Sequence, residues 1–179
     1  MKLHIGCGEK FLPGYTHVDA RKFPHVDYVT DKLDQLDMFK DNSADEIYAC
    51  HILEHFTRAD MRSGGVLQEW YRILKTGGIL RIAVPNFEAI VEEYLSSKNL
   101  ELIMGLLYGG QNYAYNFHYQ AYDFQRLSAL LRRAGFSAVE TYDWREFLPE
   151  GYDDYSRSYL PHMDFEHGRL MSLNVVAKK

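Results

Sequence analysis

Cysteine is scarce. Cys7 and Cys50 are the only thiols among 179 residues. Two are too few for a disulfide framework, and neither belongs to a CxxC pair of the kind that binds zinc or does redox work. A reducing, cytoplasmic setting is the expectation. Basic charge is not in excess either: 20 Lys and Arg stand against 25 Asp and Glu, a formal charge of −5. The chain therefore lacks the basic stripe that duplex nucleic acid or an anionic membrane surface calls for, and no nucleic-acid partner is expected. Long apolar runs are missing as well. Met1-Lys2-Leu3-His4-Ile5 leads straight into a glycine turn, and no stretch has the length of a signal-peptide core or a membrane span, so no membrane insertion is expected. No repeat or low-complexity linker divides the sequence. What is present, 46% apolar and 15% aromatic residues, supplies one sizeable core at a length that suits a single domain over residues 1–179.

Short apolar runs alternate with segments of helical period, the pattern of a mostly parallel sheet covered by helices. Strands are expected at residues 3–5, 16–18, 27–29, 46–50, 79–84, 138–142 and 172–177. The clearest helix is Phe124–Ala134, where Phe124, Leu127, Leu130, Leu131 and Ala134 share a face between an Asp123 N-cap and a Gly135 C-cap. Others are expected at 66–74, 87–96 and 100–108. Periodicity disappears from 146 to 170, a segment rich in Asp, Tyr, Arg and His, and loops of that length are commonly functional.

Gly6-Cys7-Gly8 directly follows the first strand, so backbone can approach a ligand at the sheet edge without a β-carbon in the way. The dinucleotide fingerprint wants a third glycine where Phe11 stands, and an acid about twenty residues further on. Instead Asp19 ends the second strand, eleven positions past Gly8, where a carboxylate can accept from both hydroxyls of a ribose. Almost no helix fits between them. Asp31, after the third strand, is placed to meet an adenine edge; otherwise both acids are turn or cap residues.

The order Leu3-His4-Ile5-Gly6-Cys7-Gly8, Val18-Asp19, Asp41-Asn42-Ser43-Ala44-Asp45-Glu46-Ile47, His51-Ile52-Leu53-Glu54-His55-Phe56 and Glu69-Trp70-Tyr71-Arg72-Ile73-Leu74-Lys75-Thr76-Gly77-Gly78 resembles the class I S-adenosylmethionine (SAM)-dependent methyltransferases. The similarity is greatest to their type 11 subgroup and its small bacterial members. It is dense over about residues 2–86, and Arg133-Ala134-Gly135-Phe136 resembles the family's element before strand six. The resemblance implies a three-layer α/β sandwich with a Rossmann-like sheet of seven strands, the last antiparallel, and SAM across its carboxyl edge. It further implies that Gly6, Cys7 and Gly8 pack on the methionine part, Asp19 holds the ribose, Asp31 approaches the adenine, and His51 lies beside the sulfonium. His4 replaces the family's usual acid two residues before the first glycine.

His51-Ile52-Leu53-Glu54-His55 also matches HxxEH, the inverted zincin pattern, which needs one continuous helix and a third ligand. Because 46–50 reads as a strand, His51 falls at a junction, and a zinc hydrolase is the remote alternative. Hard cations prefer oxygen, so His51 argues against magnesium. No metal is assigned; His55 then reads as a hydrogen-bonded shell residue and Glu54 as a turn cap.

Methyl transfer needs alignment above all, with a base only where the acceptor carries a proton. His51, by position, and His118, by its aromatic setting, are the catalytic candidates. Residues 87–122 are expected to form the acceptor region, with Tyr119 among the residues that touch a small-molecule or sugar-containing acceptor. Residues 146–170 are expected to cover the pocket, with Arg157 and His162 reaching the acceptor. A SAM- or nucleoside-binding protein without catalysis is the main alternative.

Overall fold

The computed structural model describes residues 1–62 and 65–179. One seven-stranded sheet organises them, built from β1 (Lys2–Ile5), β2 (Thr16–Asp19), β3 (Tyr28–Val29), β4 (Ala44–Cys50), β5 (Leu74–Pro85), β6 (Ser137–Thr141) and β9 (Ser172–Lys178), while β7 (Tyr159–Leu160) and β8 (Arg169–Leu170) form a separate small hairpin. The order is β3-β2-β1-β4-β5-β9-β6. β1 to β5 pair in parallel, and β9 runs antiparallel to both β5 and β6. The expected α/β sandwich with an antiparallel last strand is thus borne out, as is the position of each of the seven sheet strands to within a few residues, whereas β7 and β8 were not expected.

Alternation along β4 shows how the sheet is covered. Ile47 and Ala49 enter the large core with Trp70 and Ile73 of α1 (Val66–Ile73) and Leu127 and Leu131 of α4 (Phe124–Ala134). Tyr48 and Cys50 point to the other face and meet Leu12, Tyr15, Phe147, Leu148 and Tyr152. No helix is needed between Gly8 and Asp19: residues 9–15 are turns and coil, and they cover that face together with residues 144–157, whose only regular structure is a 3-10 turn at each end, Trp144–Glu146 and Tyr155–Arg157. The cover is fastened from inside. Tyr48 Oη donates to Asp154 Oδ2 at 2.6 Å, and Asn174 Nδ2 donates to the Ser156 carbonyl at 2.8 Å. The remaining helices, α2 (Phe87–Ser97) and α3 (Glu101–Tyr108), pack on each other and on Met171, beyond the end of β5.

The largest boundary difference is at 73–79. The helix expected through residue 74 stops at Ile73, because Leu74 is already extended, and β5 runs from there through the Gly77 turn, where φ is +78°. At α4 the expected caps are both present: Asp123 accepts from the Arg126 N–H at 2.6 Å, and Gly135 takes a left-handed φ of +110°. Asp123→Ala is expected to lower the unfolding free energy by about 1 kcal/mol. Urea denaturation checks this, and no change would show that the helix end is held otherwise.

Candidate functional site

The sheet order reverses beside β1, whose neighbours are β2 and β4, and ligands of open α/β sheets bind at such a switch point, outside the strand carboxyl ends. Gly6 and Gly8 leave β1 with φ of +68° and +55°, a region that L side chains rarely adopt. Space adds a second requirement at Gly6: a β-carbon there would lie 2.5 Å from Ile52 Cγ1, on the chain leaving β4. Asp19, almost fully buried, ties the turn to the neighbouring strand. Its Oδ2 accepts from the Gly8 N–H at 2.7 Å and its Oδ1 from the Arg21 N–H at 2.8 Å. A carboxylate offers about four lone-pair directions, so two remain for hydroxyl donors. Asp31 follows β3 on the same edge. Such a cradle, glycine turn plus half-used carboxylate, fits a nucleoside such as that of SAM.

These residues line one cavity of about 970 Å³, which also takes in His51, Glu54, His55, His118 and Tyr119. His4 lines it from below, buried among the rings of Tyr48 and His17. Burial, then the nearby His17 and His25, lowers its pKa to about 3, so it carries no charge at neutral pH. It cannot replace the family's acid as a counter-ion. Cys7 is no nucleophile, since burial, reinforced by Asp19, pushes its thiol up to about 12.

The histidine-rich turn departs from the helix that the HxxEH reading requires. His51 has φ of +48°, and only Leu53–His55 follow, as a single 3-10 turn. Instead the turn meets the loop after α3. The Tyr119 N–H donates to the Glu54 carbonyl at 2.8 Å, His55 Nδ1 lies 3.0 Å from the Phe117 carbonyl, and His118 Nδ1 lies 2.9 Å from the Leu106 carbonyl. His51 Nε2 is 3.1 Å from Ser172 Oγ. Burial foremost lowers the pKa of His51 to about 3, that of His55 to about 4, and that of His118 below its usual value. Glu54 caps nothing, contrary to expectation. Its carboxylate is fully buried, both oxygens lack a hydrogen-bond partner among the described residues, and burial raises its pKa to about 8.

Residues between 102 and 119 line another part of the cavity, and Arg21 reaches them from the chain after β2, its guanidinium 4.8 Å from the ring centre of Phe23 and 4.4 Å from that of Tyr113. From the covering segment Asp154, Tyr155, Ser158 and Leu160 line the cavity. Arg157 and His162 do not. Arg157 packs over Trp144 and Phe165 and donates to the Tyr152 carbonyl at 2.9 Å, so its charge holds the segment together, while His162 is exposed on the outside. Nothing in their spacing distinguished them from Tyr155, which stands against His51 with ring centres 5.4 Å apart.

Residues 14–82 match the sequence model of a methyltransferase domain, type 11. The fold matches that of a SAM-dependent methyltransferase from Archaeoglobus fulgidus at 17% identity and a TM-score of 0.57, over 99% of this chain and 85% of that one. It also matches a possible histamine N-methyltransferase from Thermotoga maritima, at 20% and 0.57 over 99% and 81%. A third match is the 1,6-didemethyltoxoflavin N1-methyltransferase of Burkholderia thailandensis, solved with its substrate and S-adenosylhomocysteine, at 18% and 0.60 over 99% and 70%. No curated protein sequence matches. The resemblance read from the ordered motifs agrees with these matches: residues 14–82 are similar to a methyltransferase domain, and the whole chain has the fold of the SAM-dependent methyltransferases it matches.

Proposed function

We propose that this chain is a SAM-dependent methyltransferase acting, as a single domain in the cytoplasm, on an oxygen or nitrogen of a small-molecule or sugar-containing acceptor. The observation that carries the reading is the sharing of one cavity by the Gly6-Cys7-Gly8 turn with Asp19 and by the histidine cluster with its aromatic wall. No helix among the described residues is long and apolar enough to cross a membrane. When bound, SAM supplies a methyl group made electrophilic by its sulfonium.

The chain's own part is alignment and exclusion of water. Gly6, Cys7 and Gly8 take the methionine part, Asp19 the ribose hydroxyls and Asp31 the adenine side. His51, at the end of β4, faces the transfer position, with Tyr119 and Tyr155 at the acceptor's rim. Neutral imidazoles at His51 and His118 receive a proton from an acceptor that carries one.

SAM and S-adenosylhomocysteine are expected to raise the melting temperature and NAD to leave it unchanged, since binding to the native state adds stability. An acceptor screen that follows S-adenosylhomocysteine release completes the test. A shift by NAD and none by SAM would refute the assignment, and binding without release for any acceptor would favour the non-catalytic alternative.

A further inference from the structure

The protons of the histidine cluster can be placed from its partners. A carbonyl only accepts, so His55 Nδ1 and His118 Nδ1 carry their hydrogens toward Phe117 and Leu106. Each neutral ring then keeps a bare lone pair on Nε2. At His51 the chain is longer. Asn174 must turn Nδ2 to the Ser156 carbonyl, so its Oδ1 accepts from Ser172 Oγ at 2.9 Å, and Ser172 in turn accepts from His51 Nε2. His51 is left with its lone pair on Nδ1, 3.5 Å from Glu54 Oε1. Around the fully buried Glu54 carboxylate the nearest side-chain polar groups are thus acceptors, and a positive charge or a donor is what the arrangement lacks.

We propose that Glu54, His55 and His118 bind a first-row divalent cation of the zinc class, with the cation's remaining position open to the cavity. One ligand atom from each of the three lies within 4.8 Å of the other two. Tetrahedral zinc holds such atoms about 3.4 Å apart, so side-chain rotation of about 1 Å closes the set. Two imidazoles and one carboxylate suit zinc and its first-row neighbours and disfavour magnesium and calcium. Both imidazoles are already oriented by carbonyls on their far nitrogens, the support that metal-bound histidines normally have.

This is not the HxxEH set. His118 comes from the loop after α3 and takes the place of His51, whose Nδ1 approaches the same Glu54 oxygen at 3.5 Å but which is not among the three residues whose ligand atoms converge. The inference deepens the methyl-transfer reading and rests on it for what the ion does: it would seat an oxygen of the acceptor, selecting acceptors with a hydroxyl or carboxylate near the methylated atom, and would take His118 out of the role of base.

The test is calorimetric titration of Zn²⁺ into chelator-stripped full-length protein, without SAM or acceptor, with Mg²⁺ as comparison. One saturable zinc per chain is expected and no magnesium binding, with affinity weakened at least about 100-fold in Glu54→Gln and His118→Ala. Asp19→Ala is expected to keep zinc while losing SAM, so the two readings fail separately. Absence of saturable zinc binding, or binding that survives both site variants, would overturn the proposal. Where a variant does not unfold cooperatively, the wild-type chain loaded with Co²⁺ decides: intense visible bands of four-coordinate cobalt are expected, and the weak bands of a six-coordinate ion would overturn it.

Discussion

Asp19→Ala is expected to weaken SAM binding by about 100-fold or more. Two charge-assisted hydrogen bonds to ribose hydroxyls are removed at once, each contributing about 1.5–3 kcal/mol, and every 1.4 kcal/mol is about tenfold in affinity. A second loss adds to the first, because the same carboxylate anchors the Gly8 and Arg21 N–H groups. The turn then presents its backbone less sharply, so the ligand-free variant should also melt lower than the wild type. Binding calorimetry and ligand-free melting separate the two effects. Unchanged SAM affinity in a folded variant would show that the nucleoside lies elsewhere.

Acid should destabilise the metal-free protein well before most carboxylates are protonated. His4 and His51 titrate at about 3 and His55 at about 4 in the folded chain, against about 6.5 when unfolded. The unfolded state therefore binds more protons as pH falls. Stability from these three groups is fully present above about pH 6.5 and is lost as pH drops toward 3–4. By pH 5 each has given up about 2 kcal/mol, about 6 kcal/mol together. Glu54 acts in the opposite direction: its folded value of about 8 lies above the unfolded one, so it returns about 3 kcal/mol between pH 7 and 5. The net loss of about 3 kcal/mol is a large part of the 5–15 kcal/mol typical of a native protein. Urea unfolding in chelator at pH 7 and pH 5 measures it, and His4→Phe, filling the space between aromatic rings, should remove about 2 kcal/mol of the acid loss. Stability that is flat or rising from pH 7 to 5 would contradict the buried neutral histidines.

Local chemistry made part of this structure legible. The α4 helix could be read from its period and caps, and each of the seven sheet strands from a short apolar run. Asp19 could be placed because so few residues separate it from Gly8, which forces the two strands side by side. The covering layer was not legible. Phe147, Leu148 and Tyr152 bury one face of β4 without any period, so 146–170 reads as a loop although its Asp154 is tied to Tyr48 inside the protein. The same holds for Arg157, whose stacking on Trp144 and Phe165 depends on tertiary folding alone. Glu54 gave a misleading signal, since an acid in a short turn is usually a cap. Its approach to His118 joins residues that only the packing of the α3 loop against the β4 turn brings together. An acid between two histidines on an apolar turn was the available hint.

Methyl transfer in this cavity depends on where the nucleoside lies, and a crystal structure of the protein with S-adenosylhomocysteine tests that most directly. The ribose hydroxyls are predicted on the free lone pairs of the Asp19 carboxylate, the amino-acid part over Gly6-Cys7-Gly8, and the sulfur beside His51. A ligand seated away from Asp19, or a cavity that excludes it at saturating concentration, would contradict the account.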